Sequence, residues 1–198
     1  FYLPNLKHLY LKKNRLKGLT CDIFTQLNSL EYFDLADNLI ESIENGTFIG
    51  LSKLTQLNLG NNKIGENGLT SYFIGLTGLE VLDLKRNLIF NLDPIIFEGL
   101  ENIKEVILAT NILKFLDKSS FDSVYLRKLQ ILDMGHNTYL KIIEADTFSS
   151  LSNLKVLSIQ GITLIKTLKA NIFTGLHNLE SLNIRTQYKI VSSIDPKA

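Results

Sequence analysis

The sequence predicts an α/β solenoid, mostly β with irregular or 3-10 returns, that curves so that one parallel sheet lines its concave face. Three observations support this fold class. Apolar anchors recur every 24 to 26 residues, an asparagine recurs at one point of the repeat, and a phenylalanine recurs at another. A fixed period of this size is typical of stacked arrays, in which each copy packs only against its neighbours.

One copy of the repeat is clearest in the stretch LEVLDLKRNLIFNLDPIIFEGL, residues 79–100. Its apolar spacing is neither the two of a lone strand nor the 3.6 of a helix, and fits a coil that returns to its starting point. The first anchors of the eight copies are Leu6, Leu30, Leu54, Leu79, Ile103, Leu129, Leu154 and Leu179. We therefore expect a single array over residues 1–198, and we interpret it as a portion of a longer array.

The L-x-x-L-x-L segment of each copy predicts a short strand whose alternate side chains point into the core. Successive strands would pair in parallel, and the rest of each copy supplies the return connection that parallel pairing requires. A phenylalanine column predicts a continuous aromatic spine on the far side of the core. Its members are Phe24, Phe48, Phe73, Phe97, Phe121, Phe148 and Phe173.

The asparagine column predicts a ladder of amides that bridge backbone groups of successive turns, since a buried amide is tolerated only when it is paired. Its members are Asn14, Asn38, Asn62, Asn87, Asn111 and Asn137. Ile162 takes this place in the seventh copy and Gln187 in the eighth, so we expect the least regular backbone there. We expect Asn87→Ala to cost a few kcal/mol, because it strands buried backbone groups.

Three returns differ from the common length. Leu69 follows Ile64 by five residues, Leu126 follows Phe121 by five residues, and Tyr139 is one extra residue after Asn137. All three changes fall outside the strands, where extra chain length costs least. We interpret them as neutral variation rather than as binding loops.

Composition argues against several function classes. A net charge of +1 predicts no specific nucleic-acid partner, and no apolar run approaches the roughly 20 residues of a membrane span. His8, His136 and His177 are dispersed over the repeats, and no nucleophile with a base and an orienting group accompanies them. We find no glycine-rich phosphate loop and no cluster of metal ligands, so we expect no catalytic residues, no metal and no cofactor.

The single cysteine, Cys21, lies on the return of the first copy. One thiol makes neither an internal disulfide nor a zinc site. We expect a small, partly buried filler, and pairing with a cysteine outside this stretch remains the alternative.

The phase L-x-x-L-x-L-x-x-N-x-L-x-x-L-x-x-x-x-F-x-x-L resembles the "typical" 24-residue class of leucine-rich repeat over essentially the whole chain. That class occurs in Toll-like receptor ectodomains, in insect adhesion proteins such as chaoptin and in lamprey variable lymphocyte receptors. The resemblance implies a curved leucine-rich-repeat horseshoe, an extracellular location and function by surface binding. The chain shows no cysteine-rich flanking caps, which leaves the choice among these relatives open.

Asn45, Gly46 and Thr47 form an N-x-[ST] sequon. The sequon falls on a return segment, hence on the outer face of the array. We expect Asn45 to carry a glycan there.

The residues between the inward leucines would face the concave side, and these supply the candidate ligand contacts. Val81, Ile107, Ile131 and Val156 would form an exposed apolar patch of the kind that marks contact sites. The whole candidate set is Tyr10, Tyr32, Asp34, Asn58, Val81, Asp83, Ile107, Ile131, Asp133 and Val156. The alternative is that β-branched residues simply favour strands and that the aspartates form a solvated face. We expect Asp83→Ala to be nearly neutral for folding.

The function that these features favour is an extracellular recognition module that binds a protein or another macromolecule, through the concave face or through a lateral or convex face. One alternative is a structural or adhesive component that assembles as a homo- or hetero-oligomer or with matrix. A second is an intracellular scaffold, which a glycan on Asn45 would exclude.

Overall fold

The computed structural model describes residues 2–65, 71–186, 193–195 and 197. Its main feature is one eight-stranded, all-parallel sheet in which the strands follow one another in chain order. The strands are His8–Tyr10, Tyr32–Asp34, Gln56–Asn58, Val81–Asp83, Glu105–Ile107, Ile131–Asp133, Val156–Ser158 and Ser181–Asn183. The predicted solenoid with short strands and few helices is therefore confirmed.

The returns contain short paired segments and three 3-10 helices in the described part of the chain. Gly18–Leu19 pairs with Ser42–Ile43, Phe115–Leu116 with Ile142–Ile143, and Thr167–Leu168 with Ser193–Ile194. The 3-10 helices are Pro94–Phe97, Lys118–Phe121 and Val124–Lys128. A 3-10 turn rises about 2 Å per residue, which lets a few residues cross the back of the array.

Strand register holds the repeats in phase along the whole sheet. Leu57 lies opposite Leu82, and Leu82 opposite Val106, without slippage. The central residue of each strand is buried from Phe33 to Leu157, while in the first and last strands of the sheet Leu9 is partly exposed and Leu182 is exposed. The period of two in a strand therefore sends the flanking residues to the concave face.

Six phenylalanines of the predicted spine are buried, from Phe24 to Phe148. The ring centroids of Phe24 and Phe48 are 6.5 Å apart, and those of Phe121 and Phe148 are 5.6 Å apart. Phe173 is only partly buried and packs against the core. Burial of each ring contributes roughly 1.5–3 kcal/mol.

The ladder asparagines connect each copy to the one before it. The Asn87 amide nitrogen donates to the carbonyls of Leu59 and Leu84 at 3.0 Å each, and its oxygen accepts the N–H of Ile64 at 2.9 Å. The same pattern recurs at Asn38, Asn62, Asn111 and Asn137. Asn14 is exposed, and its amide bonds only within its own turn.

Beyond Asn137 the ladder ends, but the concave sheet continues. Ile162 is fully buried in the asparagine position, and the N–H of Leu140 donates instead to the carbonyl of Asn137 at 3.0 Å. Val156 still pairs in register with Ile131 and with Ser181. The change is thus a local repacking of the return, and Gln187 lies outside the described residues.

A column that the sequence did not reveal precedes the ladder position. Its members adopt the left-handed conformation and are Lys13, Asp37, Asn61, Arg86, Thr110, His136 and Gly161, with φ between 54° and 69°. Each N–H in this column donates to a carbonyl of the next copy, as Thr110 does to Gly135 at 2.8 Å. The left-handed bend therefore places these N–H groups where they can bond to the next copy. Its conformational strain is largest at Thr110, because a β-branched residue is the least tolerant of positive φ.

Of the three irregular returns, two lie fully within the described residues. The extra residues after Phe121 form the helix Val124–Lys128, which Ser123 caps by accepting the N–H of Tyr125. Tyr139 protrudes from the surface. The third return is described only at Ile64 and Gly65.

We expect Asn87→Ala to lower the free energy of unfolding by about 3 kcal/mol, since two buried carbonyls and one N–H lose their partner. The matched control is Asn14→Ala, which removes an exposed amide and should cost under about 1 kcal/mol. Urea unfolding measures both values, and equal losses would contradict the ladder's role.

We expect Thr110→Gly to raise the free energy of unfolding by about 1 kcal/mol, because it relieves a β-branched side chain at positive φ. Thr77→Gly provides the control, since Thr77 is exposed in a turn and its φ is not left-handed. The Thr77→Gly control should lower the free energy of unfolding. If urea unfolding showed that both variants are stabilised, the effect at Thr110 could not be assigned to backbone strain.

Candidate ligand-binding surface

The concave face consists of two columns of side chains that flank the buried central residue of each strand. Tyr10, Asp34, Asn58, Asp83, Ile107 and Asp133 belong to the second column, and Tyr32, Val81, Ile131 and Val156 to the first. Of these ten candidates Tyr10 is exposed, Asp34 and Asp83 are buried, and the other seven are partly exposed. The set is therefore not one uniform surface.

The expected apolar patch is interrupted. Ile131 and Val156 lie side by side, but Glu105 separates Val81 from Ile131. Ile107 belongs to the other column, between Asp83 and Asp133. The prediction of a contiguous patch was wrong because it merged two columns that the strand geometry keeps apart.

Asp34 and Asp83 have a structural explanation. They are only 6% and 8% exposed, and their Oδ1 atoms accept the backbone N–H two residues later, from Ala36 at 3.0 Å and from Lys85 at 2.9 Å. Asn58, Asp133 and Asn183 repeat the bond at 3.0, 2.9 and 3.2 Å. A side chain of this kind closes a turn on its own backbone.

In these five copies the side chain therefore ends the strand and directs the chain into the turn that follows. The expectation that Asp83→Ala would be neutral for folding does not fit a buried carboxylate with a backbone partner. The signal in the sequence is the recurrence of Asp or Asn at this position in five of the eight copies. The residue type alone does not separate this role from the ligand contact that the sequence predicts, or from a solvated carboxylate, because Asp and Asn both carry an oxygen that can accept a backbone N–H.

An aromatic cluster occupies the end of the concave face near the first copies. The rings of Tyr10 and Tyr32 are 5.4 Å apart at centroids, and those of His8 and Tyr32 are 6.4 Å apart. Tyr10 remains 66% exposed, although it is one of the largest apolar surfaces in the array. Burial raises the pKa of Tyr32, Asp34 adds to the shift, and a hydrogen bond with Asn58 opposes it.

Beside the tyrosines lies an open hollow of about 420 Å³. Ala36 and Gly60 are in its lining, and Lys12, Lys85 and Arg86 supply the charge. A Cβ atom at Gly60 would lie 3.2 Å from Asn58 Oδ1, so a side chain there would fill the space. This end of the concave face thus combines exposed aromatic rings, amides and room for a partner to approach.

The sequon occupies an outer turn. Asn45 is exposed, whereas Thr47 is fully buried and its hydroxyl donates to the carbonyl of Glu44 at 2.8 Å. Thr147 makes the same bond to Glu144 at 2.8 Å, and no asparagine stands two residues before it. The threonine therefore has a structural reason to be present whether or not a glycan is attached.

Cys21 is exposed, not the partly buried filler that we expected. Its backbone N–H donates to Glu44 Oε2 at 2.9 Å, a contact between neighbouring copies. A hydrogen bond with Glu44 and the charge of Asp22 raise the pKa of the thiol. Those carboxylates favour the protonated form, which is the weaker nucleophile.

Within the described ranges, no group of three or more His, Cys, Asp or Glu side chains could hold a metal ion. His8 lies in the first strand, His136 in a left-handed bend and His177 on the seventh return. Among those same residues, none of the helices has the length and apolar character to cross a bilayer.

We expect Asp83→Ala to lower the free energy of unfolding by about 1–2 kcal/mol, because the N–H of Lys85 loses its acceptor. Asp83→Asn retains an oxygen at that place and should cost less than the alanine variant. Thermal unfolding compares the two, and an alanine variant as stable as the parent would restore the interpretation of Asp83 as solvated acid.

A family described as "Leucine rich repeat" matches residues 4–64 and 101–165, more than half of the chain. Human mimecan is 42% identical over 57 residues, which cover 29% of this chain and 19% of mimecan. Tsukushi from Xenopus tropicalis is 36% identical over 67 residues, which cover 34% of this chain and 19% of Tsukushi. The chain thus spans about a fifth of the length of these curated relatives.

Solved structures extend the likeness to nearly the whole chain. A structure titled as a TLR13–ssRNA13 complex superposes with a TM-score of 0.84 at 33% identity, over 90% of this chain and 25% of that one. The Drosophila Toll–Spatzle complex gives 0.73 at 24% identity, over 99% and 29%, and shows the fold alone. The protein belongs to the leucine-rich-repeat family, and it resembles the ectodomains of Toll-like receptors.

Proposed function

We propose that the protein is an extracellular recognition module whose concave face binds a protein ligand, with its centre at Tyr10 and Tyr32. The observation that carries the proposal is the exposure of Tyr10 beside a second tyrosine. A tyrosine supplies a large contact area and fixes only two side-chain torsions on binding. Neither ring of this pair is needed to fill the core, which the aliphatic and phenylalanine columns already occupy.

The repeats support binding by holding the surface rigid. The second to fourth copies combine the second-column turn with the ladder asparagine, and the left-handed bend recurs from Lys13 onward. The strand of Tyr10 is held by its in-register pairing with Tyr32–Asp34. A surface that is ordered before the ligand arrives loses little conformational entropy on binding. Asn58 and the hollow beside Gly60 add polar contacts next to the rings.

Two similar structures bear on the class of ligand. One is a TLR13 complex with single-stranded RNA, and the other is a complex of Toll with the protein Spatzle. Because the structure with TLR13 contains single-stranded RNA, the net charge of +1 is not a sufficient reason to exclude a nucleic-acid ligand. The test therefore includes RNA as a competing ligand. A protein ligand is favoured here because Lys12 is already paired with Asp37 at 3.6 Å and Lys85 with Asp83 at 3.2 Å.

An extracellular location is supported by the resemblance to receptor ectodomains and by the exposed Asn45 in a sequon. An adhesive component that assembles through the same face is the nearest alternative, and an intracellular scaffold is the more distant one. Glycosylation distinguishes the scaffold from the other two.

We expect Tyr10→Ala with Tyr32→Ala to weaken binding by about 2 kcal/mol, as buried aromatic anchors do at interfaces. The purified protein is immobilised and presented with a panel of purified secreted proteins and with single-stranded RNA of mixed sequence. Tyr2→Ala provides the control, because Tyr2 is exposed outside the concave sheet. The proposal would be contradicted by a panel protein that binds the Tyr10→Ala, Tyr32→Ala double variant as tightly as the Tyr2→Ala control. It would also be contradicted if RNA were the only ligand.

We expect secretion from a eukaryotic cell to attach one glycan at Asn45, and Asn45→Gln to remove that mass. Thr47→Ala should remove the glycan and also cost about 1 kcal/mol of stability. Thr147→Ala should cost the same stability and leave the glycan in place. Mass spectrometry and thermal unfolding separate these effects, and a protein secreted without sugar would count against use of the sequon.

A further inference from the structure

A second unusual surface follows the asparagine ladder in the fourth to seventh copies. We define this post-ladder strip by its apolar residues, which protrude where the chain starts its return. Leu88 and Ile112 are half-buried, whereas Phe90, Phe115, Tyr139 and Ile142 are exposed. Phe90 shares a hollow with Leu88 and Ile112, and Phe115 lies opposite Ile142 in paired strands. Exposed apolar side chains that lie together mark contact sites more often than isolated ones do.

Two one-residue insertions enlarge the strip. Tyr139 in the sixth copy and Leu164 in the seventh both follow the ladder position by two residues, and both protrude. The hydroxyl of Thr163 donates to the carbonyl of Thr138 at 3.0 Å, which shows that the two insertions stack. Both insertions add exposed apolar surface at the same point of neighbouring copies.

A column of lysines runs through the strip. The N–H of Lys114 donates to the carbonyl of Phe90 at 3.2 Å, and that of Lys141 to the carbonyl of Lys114 at 3.1 Å, so these copies are neighbours. Lys114 Nζ lies 6.0 Å from the Phe90 ring centroid, within a shallow hollow of about 370 Å³. No ion pair among the described residues involves either lysine.

Lysines at the entry to the concave strands are arranged differently. Lys7 is 2.8 Å from Glu31, Lys104 is 2.7 Å from Glu80, and Lys155 is 3.1 Å from Glu180. There, opposite charges alternate between adjacent copies. In the post-ladder strip like charges stand side by side, which is unfavourable until an anionic partner is present.

The nearest carboxylates along the chain are already engaged. Asp117 accepts hydrogen bonds from Ser119 and Ser120, and Glu144 lies 3.5 Å from Lys169. Neither carboxylate forms an ion pair with Lys114 or Lys141. The two lysines are therefore open to a ligand, while Asp93 and Asp117, which line a separate hollow with Phe115, accept backbone N–H groups of their own turns.

We propose that the post-ladder strip is a docking surface for a segment of a partner protein in which carboxylates alternate with apolar side chains. The lysines would pair with the carboxylates, and Phe115, Tyr139 and Ile142 would cover the apolar side chains. Aliphatic residues contribute half of the strip, and single-stranded nucleic acid binds by stacking on aromatic rings, so a protein segment fits better. This surface is separate from the concave tyrosines.

The experiment uses the purified protein and a fluorescein-labelled peptide of about twelve residues in which glutamate alternates with leucine. Its matched probes replace every glutamate by lysine, or every leucine by serine, and a uridine oligonucleotide of the same length is the fourth probe. We expect fluorescence anisotropy to rise with the glutamate–leucine peptide and to stay low with the other three. The binding should weaken with added salt.

Two sets of variants locate the site. Lys114→Glu with Lys141→Glu should weaken peptide binding about ten-fold, the effect of losing two surface ion pairs. Lys17→Glu with Lys53→Glu makes the same charge change outside the strip and should leave binding unchanged. Phe115→Ser should also weaken binding, and Tyr10→Ala should not. Thermal unfolding verifies that each variant is folded.

Three results would overturn the proposal. The first is a glutamate–leucine peptide that binds no better than the lysine–leucine peptide. The second is equal loss in the two lysine variant pairs, which would show only a general charge effect. The third is an oligonucleotide that binds through Lys114 and Lys141 while the peptide does not, which would assign the strip to nucleic acid.

Discussion

The array depends on one side chain that satisfies backbone groups from two turns at once. The ladder amide donates to a carbonyl of its own copy and to one of the copy before, and accepts an N–H from that earlier copy. A return bend leaves these groups without strand partners, and leaving them buried and unpaired would cost about 1–3 kcal/mol each. Where the ladder asparagine is present, a bend is therefore completed by the neighbouring copy, and the copies stabilise one another by stacking.

This constraint also limits which side chains are free to bind. In the second concave column, a carboxylate or amide oxygen such as that of Asp83 accepts the backbone N–H of the turn that ends the strand. In the left-handed column that follows, the backbone N–H groups donate to carbonyls of the next copy. The part of the concave face that is free to contact a ligand is therefore smaller than the whole face. It consists of Tyr10 and Tyr32 at one end, together with the side chains that form no hydrogen bond to the backbone.

The period, the strands, the aromatic column and the asparagine column could be predicted because each depends on residue type at a fixed spacing. The turn role of Asp34 could not, since a carboxylate that accepts a backbone N–H has the same sequence as a solvated one. The left-handed column was hidden for another reason. Lys, Asp, Asn, Arg, Thr and His share no chemistry there, and the stacking geometry alone imposes the conformation. Exposure of Cys21 could not be predicted either, since the spacing of the repeat does not indicate which side of an irregular return a side chain occupies.

The end of the ladder shows where such an array can vary at low cost. When Ile162 replaces the asparagine, the N–H of Leu140 turns to a carbonyl of its own copy and the sheet keeps its register. An extra residue placed after the ladder therefore displaces only the return, and Tyr139 and Leu164 protrude without disturbing the concave strands. Changes before the ladder would shift every side chain of the strand to the opposite face. New exposed surface can thus accumulate after the ladder, while the concave face keeps the geometry that the amides impose.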